Sequence, residues 1–195
     1  MDIDKRARTQ WIKAAISFQN YQDYLGSKKD RFILTLIDLL YISNFKGGNA
    51  TINEPAEDIE HKLIQYSTIL REISERFGNK NLSDLNDKER DELIDITASI
   101  SNLTKEGSQT KIDGFSVSYL SALLSNYFPN LIPILDRRIL INLQIVNNDH
   151  INKQGQVKQI ERFYPELIKR LHNQCQNSEK SLRELDKEIF ILKIK

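Results

Sequence analysis

The sequence predicts an all-α fold, on three observations. Apolar residues recur mainly at the three-and-four spacing of a helix face. Glycine and proline are scarce, seven and four in 195 residues, while Lys, Glu, Leu, Ile, Asn and Ser dominate. Several of the periodic runs are bounded by Gly or Pro, the residues that punctuate helices.

The elements follow in order. A first helix is expected over about 4–25, stopped by Gly26. A second spans about 30–45 and ends at Gly47-Gly48. Phe32, Ile33, Leu34, Leu36, Ile37, Leu39 and Leu40 make it apolar nearly all round, which predicts a buried core helix. Pro55 opens a third, to about Phe77, with Ile59, Leu63, Ile64, Ile69, Leu70 and Ile73 inward and Gly78 closing it. A fourth covers about 87–103 and a fifth about 117–127, after a short glycine-containing turn. A sixth runs over about 136–146, with Asp136 at its start. A seventh spans about 153–174, broken near Pro165, and a last covers about 178–192. The Asn/Lys/Gly/Gln stretch 147–156 reads as a loop. No internal repeat or low-complexity tract interrupts the pattern.

This length suits one compact domain, or two closely apposed helical lobes, with a sizeable core. No stretch is long or apolar enough to cross a membrane. The start, Met-Asp-Ile-Asp-Lys-Arg, lacks the apolar core of a secretory signal. Cys175, the single cysteine, rules out an intramolecular disulfide and fits a reducing cytoplasm. A cytoplasmic monomer is therefore expected. His172 and Cys175 share a helix face, but two ligands do not make a zinc site. No phosphate loop and no nucleophilic triad appears.

The chemistry-bearing stretch is 112–136. It opens Ile-Asp-Gly-Phe-Ser-Val-Ser, continues through an apolar run and closes Ile-Pro-Ile-Leu-Asp. A turn that meets phosphate needs small residues and a helix starting just behind it, so that backbone N–H groups point outward. Gly114 and Ser116 meet that need in part, and either Ser116 or Ser118 caps the helix that follows. Asp136 is also a good N-cap by itself, so a plain structural role competes with a chemical one.

The two signals and their spacing resemble the helix-hairpin-helix DNA glycosylases, with the nearest local match in the adenine-glycosylase branch. Ile112 falls on the hairpin leucine, Gly114 on its first glycine and Asp136 on the catalytic aspartate. The departures are Asp113 for the proline, Phe115 for a smaller apolar residue and Ser116 for the second glycine. The resemblance implies a glycosylase-like domain over 1–195, with the hairpin and catalytic segment at 105–146. It implies base flipping on double-stranded DNA and hydrolysis of the N-glycosidic bond. Asp136 would stabilise the positive charge that grows on the deoxyribose. The position that carries a Schiff-base lysine in bifunctional relatives is Ser118, and no lysine lies between Lys111 and Asp136. A monofunctional enzyme without lyase activity is therefore expected.

Further carry-overs are looser. The segment 36–44 resembles the helix that bears a wedge residue. It places Asp38 near a second acid that protonates the leaving base, and Asn44 near a residue that fills the gap. Competing readings are an ion-paired helix-edge carboxylate and an ordinary helix C-terminal residue. Gly114, Phe115, Ser116 and Ser118 would hold phosphate. Arg137 or Arg138 would hold one beside the flipped nucleotide. Tyr119 and Tyr41 are the aromatics expected to line a base pocket. No cofactor is expected, although the family admits a monovalent cation on the hairpin carbonyls. A net charge of +1 gives DNA binding little support, but 153–195 carries ten basic and six acidic residues. The substrate, a damaged or modified base in repair or in defence against invading DNA, stays open. The rival reading is a non-catalytic helix-hairpin-helix module that binds DNA or a protein.

Overall fold

The computed structural model describes residues 2–48 and 50–194. Eight α-helices and no strand occur among them. The helices are α1 (Lys5–Ser27), α2 (Leu36–Phe45), α3 (Ala56–Phe77), α4 (Asp87–Ser101), α5 (Val117–Tyr127), α6 (Arg137–Asn142), α7 (Tyr164–Gln176) and α8 (Leu182–Phe190). No helix among the described residues is long and apolar enough to cross a membrane.

Local chemistry sets most of the boundaries. The Asp4 side chain accepts from the N–H groups of Arg6 and Ala7 and starts α1. Capping boxes start α4 at Asn86 with Glu89, and α8 at Ser181 with Glu184. Pro165 lies in the first turn of α7, where its missing N–H costs nothing.

Four expected helices come out shorter, and each has a visible cause. The second begins at Leu36 because Thr35 and Asp38 form a capping box there; the chain bends and turns over 29–32 and then runs without regular structure over 33–35. It is not buried all round, since Ile37 and Leu40 are about half exposed. The sixth stops at Asn142, and Gln144 turns left-handed (φ 56°) just beyond. The seventh starts at Tyr164, because Gly155 and Gln159 both take positive φ and break the run before it. The eighth starts at Leu182 rather than near 178, where the Ser181 box places it.

One contiguous apolar core draws side chains from all eight helices. Helix α2 packs against α1, α3 and α5, while α8 packs against α1, α6 and α7. The chain ends pair beside α6: Ile3 bridges Leu192, and Asp4 N–H donates to Ile191 O at 2.9 Å. This packing brings the end of α2 and the start of α6 to one place.

Candidate active site

Asp136 is the N-cap of α6. One oxygen accepts from Arg138 N–H at 2.8 Å. The other is 2.9 Å from Lys46 Nζ, at the C-terminal end of α2. The carboxylate is about a quarter exposed (24 %) and the lysine 14 %, so the pair sits at the protein surface without being freely solvated. Burial pushes the Asp136 carboxyl up, but Lys46, the Arg138 N–H and Arg137 outweigh it and hold it below the ordinary carboxylate range. It is ionised at neutral pH. Stability from the pair is therefore present above the ordinary carboxylate range and is lost as acid protonates Asp136.

The segment 131–135 that delivers Asp136 is pinned from two helices. From α5, Ser118 Oγ donates to Leu135 O at 2.8 Å, and Ser121 Oγ accepts from Leu135 N–H at 2.9 Å. From α7, the buried Tyr164 hydroxyl donates to Pro133 O at 2.9 Å. Ser118 is thus committed to orienting the aspartate segment and does not offer its hydroxyl to a phosphate.

The hairpin itself turns at Gly114, with φ 80°. Ser116 occupies the N-cap of α5, yet its side chain makes no cap hydrogen bond, and Ser118 lies inside the helix. Phe115 is buried (1 % exposed), packed between Tyr66 at 6.4 Å and Tyr119 at 5.8 Å. Its backbone N–H, expected to meet a phosphate, instead donates to Ile112 O at 3.0 Å and closes the turn, while the ring anchors the turn in the core. The 51–54 loop lies across the turn. Glu54 accepts from Asp113 N–H at 2.5 Å and pairs with Lys62, which also donates to Lys111 O at 2.7 Å. One hairpin N–H is therefore taken by a carboxylate.

Gly114 packs so closely on this loop that a Cβ there would lie 2.1 Å from Thr51 O. Gly114→Ala combines a left-handed backbone penalty with this overlap, which should destabilise the fold by about 2–4 kcal/mol. Urea unfolding reads it directly. A loss well under 1 kcal/mol would mean that the loop does not rest on the turn.

The other sequence-predicted residues divide. Tyr119 is half-buried, its ring 5.8 Å from that of Phe115; burial raises its hydroxyl pKa and the Lys46 charge opposes the rise. Arg137 is exposed and donates to Gly155 O. Arg138 is corrected as a phosphate ligand: it donates to Asp4 at 2.7 Å and to Leu192 O at 2.5 Å, and so ties α6 to the chain ends. Asn44 is exposed but donates to Ser17 Oγ at 3.0 Å on α1. Tyr41 stacks on Tyr21 at 5.3 Å and Tyr24 at 5.0 Å, in a different aromatic group from Tyr119.

Asp38 is corrected as a second acid. It is fully buried and accepts from the Tyr21 hydroxyl, Lys28 Nζ, Thr35 N–H and the Thr35 hydroxyl. It sits at the opposite end of α2 from Lys46, about 12 Å along the axis. It has no free oxygen with which to meet a leaving base.

One residue of the site escaped sequence reasoning. Lys46 lies 90 positions from its partner in the chain, and nothing local signals the pair. A groove of about 590 Å³ between 33–35 and α3, lined by Ile33, Thr35, Glu60, His61, Ile64 and Arg71 among others, shares no residue with this site. No group of three metal-ligating side chains occurs among the described residues. Comparison with protein-family models, curated proteins and solved structures finds no match to this chain.

Proposed function

We propose that this chain is a DNA glycosylase. It extrudes a damaged or modified base and hydrolyses its N-glycosidic bond, leaving an abasic site. The observation that carries the reading is Asp136: an ionised, partly exposed carboxylate at a helix start, braced through Leu135 by a serine of the hairpin helix. Such a group stabilises the positive charge that grows at C1′ as the base leaves, and orients the attacking water. Lys46 keeps Asp136 ionised and can turn to a backbone phosphate when DNA arrives. Tyr119, one residue after the serine that braces Leu135, offers an aromatic face for an unstacked base. The N–H groups of Gly114 and Ser116, both exposed residues, supply the phosphate contact.

The test is abasic-site formation. DNA carrying a panel of damaged and modified bases is incubated with the protein and then treated with alkali. Strand cleavage that requires the alkali supports hydrolysis without lyase chemistry and names the base. DNA binding without any base release across the panel sinks the reading. One observation favours a second reading, a non-catalytic module: Glu54 already occupies the Asp113 N–H that a phosphate would use.

A further inference from the structure

Two surface hollows carry opposite charge, and exposed isoleucine walls each of them. The larger, of about 590 Å³, lies between 33–35 and the outer face of α3. Ile33 and Ile64 border it, each more than half exposed. Glu57, Glu60 and Ile64 follow at the three-and-four spacing of one helix face, turned away from the buried Ile59, Leu63 and Tyr66. Both glutamates are exposed and make no ion pair among the described residues. The lysine and arginines of α3 are engaged elsewhere, Lys62 by Glu54, Arg71 by Asp30 and Arg76 by Glu72.

The smaller hollow, of about 350 Å³, lies where the start of α1 meets the end of α8. Ile3, Arg8, Trp11, Ile12, Lys187 and Ile191 line it. Arg8 and Lys187 are exposed and make no ion pair among the described residues. Carboxylates close to them in the chain are already taken, Asp4 by Arg138, Asp2 by Lys193 and Glu188 by Lys180. Ile16, one turn beyond Ile12, extends the exposed apolar strip along α1. The two hollows lie toward opposite ends of α1. Thr35 of the larger one has its hydroxyl 3.5 Å from that of Tyr24, and Tyr24 is about 18 Å along the helix axis from Ile12. The acidic groove is therefore not filled by the basic strip of its own chain.

We propose that the two hollows are the halves of one self-association contact, in which the acidic groove on α3 takes the basic, isoleucine-bearing strip of α1 and α8 from a second copy of this chain. Charge selects that occupant. Two uncompensated carboxylates meet two uncompensated cations, while groove on groove or strip on strip is repelled. The apolar parts agree, because Arg8, Ile12 and Ile16 stand one turn apart on a helix and so suit a groove walled by Ile33 and Ile64. Docking takes isoleucine out of water on both sides. Each copy carries one groove and one strip, so it gives and receives at once. Neither hollow shares a residue with the Asp136 site, and the contact stands independently of the glycosylase reading.

Sedimentation equilibrium of the full chain tests it. Between about 5 µM and about 500 µM the weight-average mass of the wild type should rise about 1.5-fold or more in low salt. Raising salt from about 50 mM to about 500 mM should weaken the association about tenfold, since exposed charges carry its selectivity. Two charge-reversed variants locate the contact. Glu57→Lys with Glu60→Lys makes groove and strip both positive; Arg8→Glu with Lys187→Glu makes both negative. Each variant alone should stay monomeric, and mixing the two should restore association, because each strip then finds a groove of opposite sign. That rescue also excludes misfolding as the cause of the loss. A wild type that keeps its monomer mass throughout would overturn the proposal. Self-association that persists in either variant would do the same, by placing the contact elsewhere, as would mixing that restores nothing. A monomeric wild type that instead binds an unrelated basic amphipathic peptide, with binding lost in Glu57→Lys with Glu60→Lys, would assign the groove to a different protein.

Discussion

Asp136→Asn is expected to reduce base release by about a hundredfold to a thousandfold, the usual loss when a preorganised charge stabiliser is removed. The change is nearly isosteric. Asparagine is as good an N-cap as aspartate, so the hydrogen bond from Arg138 N–H and the start of α6 should survive. What disappears is the negative charge. Lys46 then faces a neutral amide, and the fold should lose about 1–3 kcal/mol, the value of a charged hydrogen bond at a partly buried site. The two effects are separable, because a folded variant can be assayed for base release at saturating DNA. Retained DNA affinity with lost base release assigns Asp136 to the transition state. Unchanged base release would show that Asp136 only caps its helix, and the non-catalytic module would become the better reading.

The same experiment bears on a tension in the site. An ammonium 2.9 Å from the carboxylate keeps it ionised but also cancels part of its field. Charge stabilisation at C1′ therefore requires Lys46 to move away once DNA is bound. Lys46→Met tests this: Asp136 should stay folded into its cap and remain active, with weaker DNA binding and a smaller salt dependence. A Lys46→Met variant that binds DNA as well as the wild type, with the same salt slope, would show that the lysine never reaches a phosphate.

How much of this was legible in the chain depends on the range of the forces involved. The fifth helix was readable to the residue, because Ser116 and the apolar run 117–127 define it locally. The third was nearly so, with Pro55 at its N-cap and Gly78 at its end. Asp136 at a helix start was also a local matter. The start of α2 was misread because the apolar run begins at Phe32, while the Thr35–Asp38 box that sets the start is polar and lies inside that run. Pairings over long separations left no trace. Glu54 on the hairpin N–H, Lys46 on Asp136 and Arg138 on the chain ends all depend on the finished packing. The Phe115 N–H is likewise spent inside the turn, on Ile112 O, and its ring packs in the core between Tyr66 and Tyr119.

Asp38→Ala is expected to cost about 3–5 kcal/mol of stability, the penalty for breaking a buried ion pair from one side. Its carboxylate joins three elements. It accepts from Tyr21 at 2.8 Å on α1, from Lys28 at 2.9 Å just past α1, and from the Thr35 N–H at 2.8 Å at the entry to α2. Removing it strands the Lys28 ammonium, which is only 10 % exposed, and leaves the Tyr21 hydroxyl, already pushed up by burial, without an acceptor. It also dismantles the capping box that starts α2. A second change, Lys28→Met, should recover part of the loss, because the stranded charge then disappears. Asp38→Asn keeps the shape and one acceptor, so a smaller loss of about 1.5–3 kcal/mol is expected. Base release per folded molecule should be unchanged in Asp38→Asn, since no oxygen of Asp38 reaches solvent. That last comparison separates the two roles this residue could have. A variant that is folded and stable but inactive would make Asp38 a working acid after all. A variant that is active but unstable leaves it as the bolt between α1 and α2, at the far end of the helix whose other end supplies Lys46 to Asp136.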